Sequence, residues 1–381
     1  MAYFDNNATT RPSAEVRAAF DQALRESWGN PSSPCRSGVE VRVRLDQARE
    51  CIARSLEVDA GSVTFTSGST EANNAVFAHA ARFFEPSARA LVSSIEHPSV
   101  LAPANHWFAE RAQTVPVEPT GVIDLGHVSS LLDEVSGVRF VSLMAANNET
   151  GVLQPWREVA DLCREREIHF HCDATQWIGK LPSSGFSACS SFSASAHKLG
   201  GPKGVGILVS DLPRPFIMGG SQEDGRRSGT ENYPAVKAMS VACERMSSRL
   251  PEFADRSCWR DSFEARMLVD FPGLQILGKE VPRLWNTSML LMPDYENLRY
   301  VGKLDKFGFE VSTGSACSIG KDDASAVSLA MGFSPEQTKR LVRISSYAEQ
   351  TQSDWMSLGR AFCDARDELN QDSSGSSVIS P

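Results

Sequence analysis

The stretch "WREVADLCREREIHFHCDATQ", residues 156–176, passes from a helical run into a short β-rich one and then to a carboxylate and an amide. "WREVADLCRERE" reads as a helix, and "EIHFHCDAT" as a buried strand whose switch from apolar to polar puts Asp173 just past its end. The same alternation extends in both directions, from about residue 60 to residue 210. Its strand candidates are "SVTFTS", "RALVSSI", "QTVPVEP", "VRFVSLMAA", "EIHFHCDAT", "ACSSFSAS" and "GVGILVS", with "STEANNAVFAHAARFF" as a further helix. Several of these runs are apolar throughout, as expected for strands covered on both faces. They predict an α/β domain with a mostly parallel sheet, whose ligands would sit at the C-terminal ends of the strands.

After "NYPAVKAMSVACERMSSRL" the pattern changes, with "GLQILG", "RLWNTSMLLM", "FEVSTG" and "RLVRISSYA" interleaved with helices. A chain of 381 residues is longer than one core usually grows, so a boundary is placed near Leu250. The expected organisation is an N-terminal segment (1–15) that packs with the small domain, a large domain (16–250), a smaller α+β domain (251–370) and a disordered tail (371–381). Within the small domain, "SPEQ" has the spacing of a capping box, with Ser334 as N-cap, Pro335 next and Gln337 three residues on.

Asp and Glu number 47 against 38 Lys and Arg, for a net charge of −9, and there is no long basic run. This balance argues against nucleic acid or an anionic membrane as the main partner. No apolar segment reaches the roughly 18 residues that span a bilayer, and "MAYFDNNATT" is not a charged leader followed by an apolar stretch. The chain reads as soluble and cytoplasmic, with a small-molecule role. Its nine cysteines are odd in number and form no C-x-x-C pair, which disfavours a disulfide framework and a zinc site. Most are expected to be reduced and buried, and no metal is expected.

Two lysines lie in "SASAHKLGGPKGVGILVS", residues 193–210. Lys203 is followed by glycine, where a P-loop needs a hydroxyl residue for magnesium, so no nucleotide site is indicated. In "FTSGSTEANNAV" a strand, Gly-Ser-Thr and a helix follow one another, so Ser69 and Thr70 with free backbone N–H groups form an anion cradle. Asp173, with Gln176 a turn later, would be costly at a buried strand end unless it faced a cation. A lysine able to form a Schiff base, an acid for a pyridinium nitrogen and a phosphate cradle are together what pyridoxal phosphate requires of a protein.

The successive motifs "YFDNNATT", "GNPSS", "TSGSTEANN", "EHPSV", "NNETG", "HCDATQ", "SAHKLGGPKG", "GRRSGTEN" and "STGSAC" resemble those of the cysteine desulfurases. That family belongs to the class-V branch of fold-type-I pyridoxal-phosphate enzymes, and the resemblance runs in order from Tyr3 to about Arg343. It implies a large domain with a mostly parallel seven-stranded sheet, a smaller C-terminal domain, and a homodimer with its sites at the subunit interface.

Carried over by that resemblance, Lys198 is the Schiff-base lysine and Asp173 the acid on the pyridine nitrogen. Gln176 and Asn148 hydrogen-bond the cofactor's phenolic oxygen and the substrate. Ser69, Thr70, Ser195 and His197 are phosphate ligands, joined by Thr230 from the partner subunit. His97 stacks on the ring and serves as acid or base, although a histidine before proline is ordinarily a loop or helix-entry residue. Arg343 forks onto the substrate carboxylate, a geometry lysine does not reproduce. Cys317, between Gly314 and Gly320, is the thiol that takes sulfur from L-cysteine as a persulfide, leaving L-alanine.

The implied activity is cysteine desulfurase, with sulfur passed to an acceptor protein such as an iron–sulfur scaffold, or used in another thio-cofactor or tRNA thiolation pathway. A selenocysteine lyase or other pyridoxal-phosphate C–S lyase would share every cofactor residue and would not need Cys317. A degenerate relative acting as a binding subunit would be expected to lack Lys198 or Cys317, and both are present. Three departures stand out. Cys35 occupies the position where the family usually has histidine, "KDDASA" at 321–326 replaces a Leu-Glu-Pro run, and Trp177 crowds the turn after Gln176.

Overall fold

The computed structural model describes residues 1–211, 216–314 and 325–375. Its strands are β1 (Ala2–Tyr3), β2 (Val63–Thr66), β3 (Arg89–Ser93), β4 (Ala112–Val115), β5 (Val138–Ser142), β6 (His169–Asp173), β7 (Ser191–Ser195), β8 (Gly206–Ser210), β9 (Gln275–Ile276), β10 (Thr287–Leu291), β11 (Phe309–Glu310) and β12 (Leu341–Ser345). Strands β2 to β8 form one sheet of seven in the order β2-β8-β7-β6-β5-β3-β4. Strand β8 runs antiparallel to both β2 and β7, and the remaining pairs are parallel. The architecture is thus the mostly parallel α/β sheet that the alternation predicts, with the seven strands that the family resemblance implies.

The helices are α1 (Ala14–Glu26), α2 (Arg36–Leu56), α3 (Ser69–Phe83), α4 (Pro98–Phe108), α5 (Leu125–Glu134), α6 (Trp156–Glu165), α7 (Tyr233–Phe253), α8 (Ser257–Asp270), α9 (Asn297–Lys306), α10 (Ala326–Ala330), α11 (Pro335–Thr338) and α12 (Gln352–Gly375). Helices α3 and α4 cover one face of the large sheet, where Val76, Phe77 and Phe108 pack on Ala90, Val92, Phe140 and Leu208. The other face, with Leu91, Val141, Phe170, Phe192 and Ile207, packs in a separate cluster with residues of α2, α6 and α7. Each fully buried side chain of this size contributes roughly 1.5–3 kcal/mol.

Two central strands, β6 and β7, are not among the runs that are apolar throughout. In β6 and β7, Phe170, Cys172, Phe192 and Ala194 join the large cluster. Between them, His171, Asp173, Ser191, Ser193 and Ser195 are also buried. By the two-residue period of a strand these polar side chains share the opposite face, which is the face turned to α3. Asp173 itself is the last residue of β6, and not just past it.

In the second unit, β9, β10 and β12 form an antiparallel sheet, and β1 pairs in parallel with β11. Phe4 packs there with Phe263, Tyr300, Val342, Trp355 and Phe362, so the N-terminal strand shares the core of the C-terminal residues. Helix α7 crosses residue 250 and ends at Phe253. Ser334 caps α11 in a complete capping box, although that helix spans only four residues. Helix α12 continues to Gly375, five residues into the stretch expected to be disordered from 371. Among the described residues, no helix is long and apolar enough to cross a membrane.

Of the eight described cysteines, all free, only Cys163, Cys172 and Cys243 are buried, and Cys35 and Cys258 are exposed. The expectation that most would be buried does not hold. Trp177 does not crowd its turn: it is buried edge-on against Trp156 at 5.6 Å and donates from its indole nitrogen to Pro182 O at 2.8 Å.

Candidate active site

Five parallel strands of the large sheet deliver the predicted residues at their C-terminal ends. Strand β2 leads to Ser69, β3 to His97, β5 to Asn148, β6 ends on Asp173, and β7 leads through Ser195 into a short turn at Ala196–Lys198. The close fit of two of these segments depends on glycine. A Cβ on Gly206, at the start of β8, would lie 2.6 Å from Gly68 Cα and 2.7 Å from Ala194 O.

The amine of Lys198 donates to the main-chain oxygens of Asn7 (2.6 Å) and Ala8 (2.8 Å). The N-terminal segment therefore reaches the turn after β7. Lys203 is exposed, as expected of loop charge. Asp173 is buried, and its two oxygens accept from Asn73 Nδ2 at 2.9 Å and from Thr175 N at 3.0 Å.

His97 caps α4: its Nδ1 accepts from Ser99 N at 3.1 Å and meets Ser99 Oγ at 2.9 Å. An Nδ1 that accepts from a backbone N–H places the ring proton on Nε2. Burial holds His97 below the usual histidine range, and the charge of Lys198 acts in the same direction while that of Asp173 opposes it. Glu96, next in the chain, is fully buried; burial and the neighbouring Asp173 push its carboxyl well above the ordinary range. Its Oε1 accepts from Met144 N, and Oε2 has no hydrogen-bond partner among the described residues.

The expected phosphate ligands divide into two groups. Ser195 Oγ accepts from Ser69 N at 2.8 Å and lies 3.0 Å from Ser69 Oγ, which in turn meets Thr175 Oγ1 at 2.6 Å. The Ser69 N–H expected to be free is thus bound to Ser195. Thr70 is exposed at the first turn of α3. His197 is half-buried with Nδ1 3.2 Å from Thr9 Oγ1, and burial, helped by Lys198 and Lys203, pushes it down to about 4. Thr230 is exposed and lines a recess of about 250 Å³ with Ser67 and Arg227.

Gln176 Nε2 donates to Asn7 O at 3.0 Å, and Gln176 Oε1 accepts from Lys180 Nζ. Asn148 contributes its main-chain oxygen, which accepts from Asn7 Nδ2 (3.1 Å) and from Arg343 (3.2 Å). Arg343, almost wholly buried on β12, also donates to Gly314 O at 2.6 Å and pairs with Asp5 Oδ1 at 2.6 Å. Its Nε has no hydrogen-bond partner among the described residues. Cys317 and most of the acidic segment after it, 321–324, lie outside the described residues. Ser325, the next-to-last residue of that segment, donates to the buried Glu149 at 2.6 Å. Cys35 is exposed at the N-cap of α2, and Ser37 Oγ, 3.4 Å from its Sγ, shifts the thiol below its ordinary range.

Sequence reasoning missed Asn7, Asn73, His171 and Lys180. Asn7 and Asn73 lie inside motifs quoted for their pattern, "YFDNNATT" and "TEANN", with no role assigned to either. The signal for His171 was available as a polar residue at every second position of "HFHCD".

The family model described as Aminotransferase class-V matches residues 2–358. A cysteine desulfurase from Enterobacter agglomerans is 35% identical over 368 residues, covering 93% of this chain and 90% of that protein. Cysteine desulfurase NifS from Azotobacter vinelandii is 36% identical over 351 residues, covering 90% of this chain and 87% of that one. A solved NifS-like protein superposes with a TM-score of 0.87 at 32% identity, covering 96% of this chain and 99% of its own.

Proposed function

The chain belongs to the class-V aminotransferase family, among its cysteine desulfurases, and from that premise we propose that it takes sulfur from L-cysteine with pyridoxal phosphate as cofactor. The observation that carries the reading is the juxtaposition of Lys198 and Asp173 at the ends of adjacent strands. The buried carboxylate there has two hydrogen-bond donors and no ion pair among the described residues.

The donor set fits the group. Lys198 would hold it covalently and Asp173 would pair with its ring nitrogen. Ser69, Thr70, Ser195 and His197 would take the phosphate, joined by Thr230 from a second copy of the chain in a homodimer. Bound there, pyridoxal phosphate supplies an electron sink for the charge left when a proton leaves Cα of the substrate. Asp173, held as an acceptor by Asn73 and the Thr175 N–H, would stabilise a proton on that ring nitrogen.

Lys198 Nζ would take the Cα proton of the substrate and hold it for return. The carbonyls of Asn7 and Ala8 orient that amine. Arg343 receives the substrate carboxylate, and His97 moves a proton at Nε2. Cys317, as thiolate, attacks the substrate sulfur: an S–S bond forms, the Cβ–S bond breaks, and its electron pair stays with the carbon fragment, which is protonated to L-alanine. The persulfide is then passed to an acceptor protein, in iron–sulfur assembly or another thiolation pathway of the cytoplasm.

Lys198→Ala is expected to abolish both the protein-bound chromophore and turnover. Cys317→Ala should keep the chromophore and lose persulfide, read by mass spectrometry as one added sulfur after exposure to cysteine. Sulfide release by Cys317→Ala at the wild-type rate would overturn the nucleophile assignment.

A further inference from the structure

The turn after β6 buries a lysine that the proposed reaction does not use. Lys180 is 1% exposed, and no carboxylate pairs with it among the described residues. Burial holds its ammonium well below the ordinary lysine range, and the positive charges of Lys198 and Arg343 act in the same direction. An unpaired buried cation is costly. Two amide oxygens offset that cost: Lys180 Nζ donates to Gln176 Oε1 and, at 2.8 Å, to Asn7 Oδ1.

The orientation of both amides follows from their other partners. Asn7 Nδ2 gives its hydrogens to Asn148 O at 3.1 Å and to Thr287 Oγ1 at 2.9 Å, so its oxygen must be the atom that faces Lys180. Gln176 Nε2 gives one hydrogen to Asn7 O at 3.0 Å, the carbonyl that also accepts from Lys198 at 2.6 Å. A carbonyl only accepts, so Gln176 likewise turns its oxygen to Lys180. Its second amide hydrogen has no partner among the described residues.

We propose that Lys180 is a positioning residue: it clamps Gln176 and Asn7 by their amide oxygens, so that Gln176 keeps one N–H directed at the cofactor's phenolic oxygen beside Lys198. The proposal rests on the pyridoxal-phosphate reading given above. Without Lys180, Gln176 Oε1 becomes a buried acceptor with no donor, and its side chain is no longer held at one point.

The test is the pH titration of the bound cofactor's visible absorption in the holoenzyme. A donor to the phenolic oxygen favours its ionised form, so Lys180→Met should move the midpoint upward by about one unit. In a Gln176→Ala background the same substitution should produce no further shift. Lys180→Gln, which keeps a neutral N–H donor, should retain most of the wild-type midpoint and serves if Lys180→Met fails to fold. Three results would overturn the proposal: an unchanged midpoint in Lys180→Met, an equal shift in both backgrounds, or a Lys180→Gln midpoint displaced as far as that of Lys180→Met. A wild-type protein that acquires no chromophore would instead overturn the cofactor reading on which the proposal rests.

Discussion

Asn73 Nδ2 lies 2.9 Å from Asp173 Oδ2, and that hydrogen bond ends a chain that crosses the buried polar face of β6 and β7. Asn73 Oδ1 accepts from Ser193 Oγ at 2.6 Å and from His171 Nε2 at 3.0 Å. An amide oxygen only accepts, so His171 carries its proton on Nε2 and its Nδ1 accepts from Ser191 Oγ at 2.9 Å. His169 Nε2 completes the chain on Ser191 Oγ, also at 2.9 Å.

Asn73→Ala should therefore do more than remove one contact. It strands a carboxylate oxygen, an imidazole N–H and a serine hydroxyl inside the sheet, each costing about 1–3 kcal/mol. A loss of at least about 3 kcal/mol is expected in urea unfolding of the apoprotein, together with weaker cofactor binding by titration. A loss under about 1 kcal/mol would show that the chain does not hold the site together.

The histidines of this face make the protein sensitive to acid. Burial pushes His171 down to about 4 and His169 to about 3, and His197 near Lys198 also falls to about 4. Folded values below the ordinary 6.5 mean that the unfolded chain takes up protons first. The stability is thus complete above about pH 6.5 and is lost as pH falls towards 4, by about 1.4 kcal/mol per pKa unit and group. Urea midpoints measured at several pH values should fall steadily across this window, and a flat profile would refute the account.

Glu96 has the opposite sign. With its folded value raised by burial and by Asp173, it contributes fully below the unfolded carboxyl range, and that contribution is lost as pH rises above it. Glu96→Gln keeps the shape and an oxygen for Met144 N, so it should unfold later than wild type at pH 8 and no later at pH 4. Equal stabilisation at both pH values would point to packing and not to ionisation.

Arg343→Lys tests the geometry of the guanidinium. The arginine serves Asn148 O, Gly314 O and Asp5 at once from a nearly inaccessible position. A lysine delivers a single point of charge and cannot span all three. The substitution should raise KM for cysteine by tenfold or more and lower the unfolding midpoint, whereas a changed kcat at constant KM would remove Arg343 from substrate binding.

Much of the site was legible in order along the chain. Asp173 and Ser195 end strands, and His197 and Lys198 follow one; the pattern and glycine turns of these strands are local properties, so the placement of the four at C-terminal strand ends could be expected. The second layer was not legible. In β6 and β7 polar side chains alternate with apolar ones, and His171, Asp173, Ser191, Ser193 and Ser195 are buried; the alternation can be read in the sequence, but the partners that make it tolerable cannot. Burial of Ser193 and His171 is tolerable only because Asn73, about 100 residues earlier on α3, supplies their partner. No local pattern announces such a pairing.

The sequence by itself determined the α/β alternation, the family, and the order along the chain of the residues proposed for the site. Those features follow from periodicity and from motifs a few residues long. Only the tertiary structure decided that Asn7 would reach from the N-terminal segment to Lys198, Gln176 and Lys180. It also decided that Asp5 would pair with Arg343 and that Asn73 would support Asp173. Each of these joins residues far apart in the chain, and each exists because a buried polar group must find a partner wherever the fold brings one within reach.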